Sequence, residues 1–213
     1  MKTNVYIDGF NFYYRCLKGT PYKWLDFSKL CPLLLPAHAR INRIRYFTAH
    51  VKPFPDNPDA PARQQVYLRA LRLIPNLEIT YGHFLTNETK MRLVAPPPGG
   101  PKYATVIRTN DKGSDVNLAT HLLRDAFKKD CEAAMIISND SDLAEPIRIV
   151  RQEFGLWIVL ALPKKKPSAT LMKHADQILR IREGALKVSQ FPDALTDAHG
   201  AFSKPAKWGH VPP

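Results

Sequence analysis

The chain has 213 residues, 45% of them hydrophobic, and a formal net charge of +12. This size favours one domain with an appendage, and the scattered positions of three cysteines argue against a disulfide scaffold or a zinc module. No run approaches the roughly 20 apolar residues of a membrane span, and Asp8 and Asn11 interrupt the N-terminal apolar stretch, so we expect a soluble, cytoplasmic protein.

The first half of the chain alternates β-rich runs with helical patterns. The predicted elements are strands over 3–8, 43–51 and 77–85, a helix start at 10–17 and a helix over 59–74. Two further β-rich segments, 90–94 and 105–109, lie on either side of the turn sequence PPPGGP. This arrangement indicates a protruding hairpin.

The second half continues the alternation. The predicted elements are helices over 114–129, 143–154 and 168–182 and buried strands over 133–138 and 156–162. The uninterrupted apolar runs AAMII and LWIVLAL are typical of parallel strands covered on both faces. We therefore predict an α/β fold, a three-layer sandwich with a mostly parallel central sheet of the Rossmann-like type, occupying residues 1–184. Residues 185–213 show no clear period and are predicted to be a C-terminal tail, mobile or docked on a partner.

Four acidic residues fall where such a sheet exposes its ligand crevice, at the carboxyl ends of the strands. Asp8 ends the first strand, Asp140 and Asp142 follow the strand AAMII, and Asp115 begins a helix. Taken singly, Asp115, Asp140 and Asp142 are better explained as helix caps, whereas an acid that completes a buried strand needs a partner or a role. Taken together, they predict an oxygen-only site for Mg²⁺ or Mn²⁺.

Three motifs at these positions resemble those of the NYN domain family, relatives of the PIN nucleases. They are Asp8–Gly9–Phe10–Asn11, Lys112–Gly113–Ser114–Asp115–Val116 and Ser138–Asn139–Asp140–Ser141–Asp142. The resemblance implies a PIN-like fold, a divalent-metal site and cleavage of RNA. By matching position it implies that Asp8, Asp115 and Asp140 are metal ligands, with Asp142 a supporting acid and Asn11 a polar catalytic residue. The family often has a further acid where this chain has His121, so the number of metal ions is left open.

The resulting hypothesis is a metal-dependent endoribonuclease acting on single-stranded or structured RNA, with DNA as a less favoured substrate. The positive charge agrees with a nucleic-acid partner, although a merely solvated basic surface explains the charge equally well. Residues assigned to substrate binding are Asn11, Arg15, Lys112, Ser138, Asn139, His121, Lys164 and Lys165. One or two of the aromatic side chains of Phe12, Tyr13 and Tyr14 are expected to be exposed and to stack on bases.

Two rival functions are kept. The first is an RNA-binding NYN module that no longer cuts. The second, less favoured because the chain has no GxGxxG or Walker motif, is an α/β enzyme acting on a small molecule. A homodimer is compatible with all of these functions.

Overall fold

A six-stranded, entirely parallel sheet forms the centre of the computed structural model, which describes residues 1–162 and 168–209. The strands of the chain are β1 (Lys2–Asp8), β2 (Arg40–Thr48), β3 (Leu77–Tyr81), β4 (His83–Arg92), β5 (Tyr103–Lys112), β6 (Ala133–Ile137), β7 (Trp157–Leu162), β8 (Gln177–Arg180), β9 (Ala194–Asp197) and β10 (Gly200–Ser203). The order in the main sheet is β3-β2-β1-β6-β7-β8. The chain thus extends the sheet in one direction from β1 and later in the other from β6, so the strand order reverses between these two central strands.

Helices cover both faces of this sheet. They are α1 (Gly9–Phe12), which continues as a π-helical turn (Tyr13–Leu17), α2 (Phe27–Leu34), α3 (Ala60–Leu71), α4 (Ser114–Phe127), α5 (Ala144–Gln152), α6 (Ala169–Met172) and α7 (Glu183–Val188). Two short 3₁₀ helices lie at Ser141–Leu143 and Ala206–Trp208.

The alternation of side chains along the central strands produces two separate cores. Val5 and Ile7 of β1 face the core that contains α2, α3 and α7. Tyr6 faces the opposite core, which includes Leu118 of α4 and Ile147 of α5. Each face of the sheet is therefore buried under helices, which confirms the predicted three-layer α/β sandwich.

The predicted strand over 77–85 is divided in two at Gly82. The Gly82 N–H donates to the Thr48 carbonyl oxygen, 2.8 Å away, and a Cβ atom at Gly82 would lie 2.6 Å from the Lys112 carbonyl oxygen. This close approach needs a glycine, and it lets the chain leave the sheet after β3 and enter the separate β4–β5 hairpin. The hairpin around PPPGGP is confirmed and is longer than predicted.

The prediction of one helix over 168–182 is wrong. Only α6 is helical there, and β8 follows as the sixth strand, pairing in parallel with Val159–Leu162 of β7. The Asp176 carboxylate accepts a hydrogen bond from the Ile158 N–H at 2.8 Å, which aligns β8 with the sheet edge. A four-residue edge strand is too short to show a period of its own, whereas apolar residues spaced across 168–182 match a helix by chance.

Residues 185–209 pack on the same chain, which differs from the expectation of a mobile or partner-docked tail. The Trp24 ring lies 5.7 Å from that of Phe191 and 6.5 Å from that of Phe202. Arg69 of α3 forms two hydrogen bonds to the Asp197 carboxylate. Isolated aromatic residues give no periodic signal, so their partner could not be identified from sequence; the domain boundary at residue 184 stays a prediction.

Across the described residues, no helix combines the length and apolar character of a membrane span.

Candidate metal centre

Asp8 is held rigidly at the carboxyl end of β1. Its Oδ1 atom accepts a hydrogen bond from the Asn11 N–H at 3.0 Å, and its Oδ2 atom accepts one from the Ser138 hydroxyl at 2.9 Å. The next residue, Gly9, packs so closely on β2 that a Cβ atom would lie 2.7 Å from the Tyr46 ring. The turn after Asp8 therefore needs glycine, and the carboxylate has little freedom to move.

The loop after β6 is tied to the same turn. The Asn11 side-chain oxygen accepts a hydrogen bond from the Asn139 N–H at 3.1 Å, and the Ser138 hydroxyl oxygen accepts one from the Asp140 N–H at 3.1 Å. The Asn139 side-chain oxygen in turn accepts from the Ser168 N–H at 2.8 Å. The first and third sequence motifs thus interlock across the point where the strand order reverses.

Asp115 reaches the same place from α4. Gly113 precedes the helix with a φ of +88°, a left-handed conformation that favours glycine, and Asp115 lies in the first helical turn. One carboxylate oxygen each from Asp8, Asp115 and Asp140 lie within 4.8 Å of one another. The predicted convergence of these three side chains at one edge of the sheet is present in the structure.

We call Asp8, Asp115 and Asp140 the acidic triad. Without a cation, the burial and mutual repulsion of their carboxylates are unfavourable. Burial raises the pKa of Asp8 to about 7, with Asp115 and Asp140 adding to the rise, although the bonds from Asn11 and Ser138 oppose it. Burial, followed by repulsion from Asp140, raises the pKa of Asp115 to about 6. Three carboxylates fit a hard divalent cation, because such a cation prefers oxygen ligands and would relieve the repulsion.

The other predicted site residues divide into two groups. Asp142 lies close enough to raise the pKa of Asp115, and its N–H donates to the Asp140 carboxylate at 3.1 Å. His121 lies elsewhere: its ring is 5.6 Å from that of Phe47, its pKa is lowered by burial and then by Arg45, and it is outside the triad. This environment favours a neutral packing residue.

The remaining residues that were predicted to bind substrate lie at different places in the fold. Arg15 lies in the π-helical turn, and Lys112 is exposed at the end of β5. Lys164 and Lys165 lie outside the described residues. Ser138 and Asn139 are buried and take part in the loop hydrogen bonds, so their visible role is to position Asp8 and the loop.

The structure adds Asp111, which sequence reasoning missed. Asp111 is the penultimate residue of β5; burial raises its pKa, and its charge contributes to the raised pKa of Asp115. The signal that could have identified it is its position directly before the Lys112–Val116 motif.

The aromatic residues after Asp8 separate as expected. Phe12 is buried in the core, Tyr13 is half-buried and Tyr14 is 56% exposed. The expectation that one or two of them would be exposed is confirmed.

Comparison with known proteins agrees with this geometry. The NYN domain model matches residues 2–182. A curated relative, 6-hydroxy-3-succinoylpyridine 3-monooxygenase HspA of Pseudomonas putida, is 31% identical over 239 aligned positions, which cover 98% of this chain and 75% of that protein. A crystal structure of a protein of unknown function from Vibrio parahaemolyticus aligns with a TM-score of 0.55 and 16% identity, over 85% of this chain and 93% of that one, a likeness of fold alone. With three motifs at one edge of the sheet and a family match over most of its length, the chain belongs to the NYN domain family.

Proposed function

We propose that the protein is a divalent-metal-dependent endoribonuclease that hydrolyses phosphodiester bonds of single-stranded or structured RNA, with Mg²⁺ or Mn²⁺ as the cofactor. The observation that carries this proposal is the acidic triad, whose oxygens lie within 4.8 Å of one another at the carboxyl edge of a parallel sheet. The family fold is nuclease-like, and the net charge of +12 favours a polyanionic substrate.

The residues of the chain have distinct roles in this reaction. Asp8, Asp115 and Asp140 hold the cation, which when bound supplies charge stabilisation at the phosphate and a nucleophile at neutral pH. Asn11 and Ser138 fix the direction of the Asp8 carboxylate through the bonds described above. Asp142 accepts a hydrogen bond from the attacking water. The oxygen of that water, after giving up one proton to solvent, forms the new P–O bond as the bond to the 3′-oxygen breaks. The 3′-oxygen takes a proton from solvent, which leaves a 5′-phosphate and a 3′-hydroxyl.

Cleavage of end-labelled RNA tests the proposal. Asp8→Asn and Asp140→Asn should each lower the Mn²⁺-dependent rate by at least about a hundredfold, the size of effect seen when transition-state charge loses its stabilisation. Glu153→Gln is the matched control, because it removes an exposed carboxylate beyond the far end of α5. Equal rates for the three variants, or cleavage that persists in a chelator, would contradict the proposal.

An enzyme that acts on a small aromatic acid is the second candidate. It is favoured by the 31% identical relative, which is named a monooxygenase of 6-hydroxy-3-succinoylpyridine, and by an aromatic-lined cavity next to Gly9, the residue that follows Asp8. Oxygen consumption with that compound and a reduced nicotinamide or flavin, measured beside RNA cleavage, separates the two candidates. The remaining alternative, an RNA-binding module without activity, predicts RNA binding and neither reaction.

A further inference from the structure

A cavity of about 600 Å³ opens next to Gly9, the residue that follows Asp8, on the β2 side of β1. Gly9 and Thr48, which ends β2, line the cavity at the carboxyl edge of the sheet. The π-helical turn, the loop before α3 and the last 3₁₀ helix form the other walls. The volume falls in the usual range of about 300–1,000 Å³ for small-molecule and cofactor sites.

Aromatic side chains make up much of the wall. Tyr13 and Tyr14 come from the π-helical turn, Phe84 from the β4–β5 hairpin and Trp208 from the C-terminal 3₁₀ helix. The Trp208 ring packs edge-to-face against that of Tyr67, which also lines the cavity, at 5.8 Å. Rings held in this way offer flat faces on which a planar ligand can stack.

The charges around the cavity are unbalanced. Among the described residues that line it, Lys23, Lys52, Arg63 and Lys207 are cationic, and Asp56 alone is acidic. Partial burial, and then repulsion from Arg63 and Lys207, lower the pKa of Lys23. Within residues 1–162 and 168–209, neither Lys23 nor Lys207 forms an ion pair. Arg63 is paired with Asp59 at 4.0 Å, so the two lysines beside it are the cations left to attract an anionic ligand.

We propose that this cavity binds a planar aromatic group that carries a negative charge, with the ring against Tyr13 and Trp208 and the anion at Lys23 and Lys207. In an RNA substrate this group is one unstacked nucleotide beside the cleaved bond, a reading that rests on the proposed function; a free aromatic acid offers the same chemistry. Lys207 and Trp208 lie beyond residue 182, where the family match ends. The C-terminal segment thereby becomes part of the binding site and sets its specificity.

Calorimetric titration of the full chain tests the proposal. The ligands are uridine 5′-monophosphate and nicotinate, with uridine as a ring without charge and ribose 5-phosphate as a charge without an aromatic ring. Lys23→Gln and Lys207→Gln should each weaken binding by about tenfold, the loss expected for one charge-assisted contact. Lys128→Gln, an exposed lysine at the end of α4 that does not line the cavity, should bind as the wild type.

The proposal is supported if uridine 5′-monophosphate or nicotinate binds more tightly than uridine and ribose 5-phosphate, and if only Lys23→Gln and Lys207→Gln weaken that binding. Whichever of the two ligands binds more tightly shows whether the site takes a nucleotide or a free aromatic acid. Absence of binding by both, or equal affinity in all three lysine variants, overturns it. Nucleotide binding combined with no metal-dependent RNA cleavage would leave the cavity assignment standing and reject the proposed nuclease. RNA cleavage without binding of either anionic ring would reject the cavity assignment and leave the proposed nuclease standing.

Discussion

Replacing Asp8 with Asn should make the metal-free protein more stable while removing its response to metal. In the wild type, burial and neighbouring acids raise the pKa of Asp8 from 3.8 to about 7. Because about 1.4 kcal/mol corresponds to each pH unit, ionised Asp8 destabilises the fold by about 4 kcal/mol above pH 7. Asparagine is never charged, so this penalty disappears in the variant.

Part of that gain is offset by altered hydrogen bonds. Asp8 accepts bonds from the Asn11 N–H and the Ser138 hydroxyl, whereas the asparagine amide has a single oxygen and an NH₂ group that must donate instead. One rearranged bond is worth about 1 kcal/mol, so we expect a net gain of about 2–3 kcal/mol.

The raised pKa of Asp8 also determines how the stability difference between the variant and the wild type changes with pH. A carboxyl group with a raised folded-state pKa contributes stability when protonated, and this contribution is lost as the pH rises through about 7. The advantage of Asp8→Asn over the wild type should therefore be greatest near pH 8 and disappear towards pH 4, close to the ordinary pKa of aspartate at about 3.9.

Urea denaturation in a chelator and in excess Mn²⁺ measures both effects. At a metal concentration of about 100 times the dissociation constant, the wild type should gain about 2.7 kcal/mol and the variant almost nothing. Glu153→Gln should behave as the wild type in all conditions. A variant that is less stable than the wild type at pH 8 without metal, or a wild type that Mn²⁺ does not stabilise, would refute this account of the triad.

Three other predictions concern metal affinity and the two cores. The affinity for Mn²⁺ should fall as the pH is lowered from about 8 to about 5, because protons compete for Asp8; calorimetry showing constant affinity would exclude Asp8 as a ligand. Asp125→Asn should lower the free energy of unfolding by about 1.5–3 kcal/mol, because buried Arg45 loses the carboxylate it binds through two hydrogen bonds but keeps its ion pair with Glu78. Urea denaturation measures that loss, and one below about 1 kcal/mol would contradict it. Phe191→Ala should lower stability by about 3 kcal/mol and expose the C-terminal segment to trypsin, because its ring packs on Trp24; unchanged digestion would count against this packing.

The central strands and the acidic motifs were predictable because their signals are local. β6 and β7 are uninterrupted apolar runs, and β1 contains the β-rich run VYI. Asp8 ends β1, and Asp140 follows β6 after two residues. The short edge strand β8 was not predictable, because its identity depends on pairing with β7 rather than on its own four residues. His121 likewise occupies a motif position, but its environment is set by Phe47 on another strand.

By itself the sequence determined the buried central strands, where they end and which acids lie at those ends, since apolar runs and turn chemistry act on neighbouring residues. Tertiary structure decided that Asp8, Asp115 and Asp140 meet, that Asp111 lies near them, and that Lys207 and Trp208 close a cavity with Lys23. Residues more than a hundred positions apart are brought together only when parallel strands align their carboxyl ends and the C-terminal segment packs back on the chain. That alignment depends on long-range packing, which no local pattern encodes.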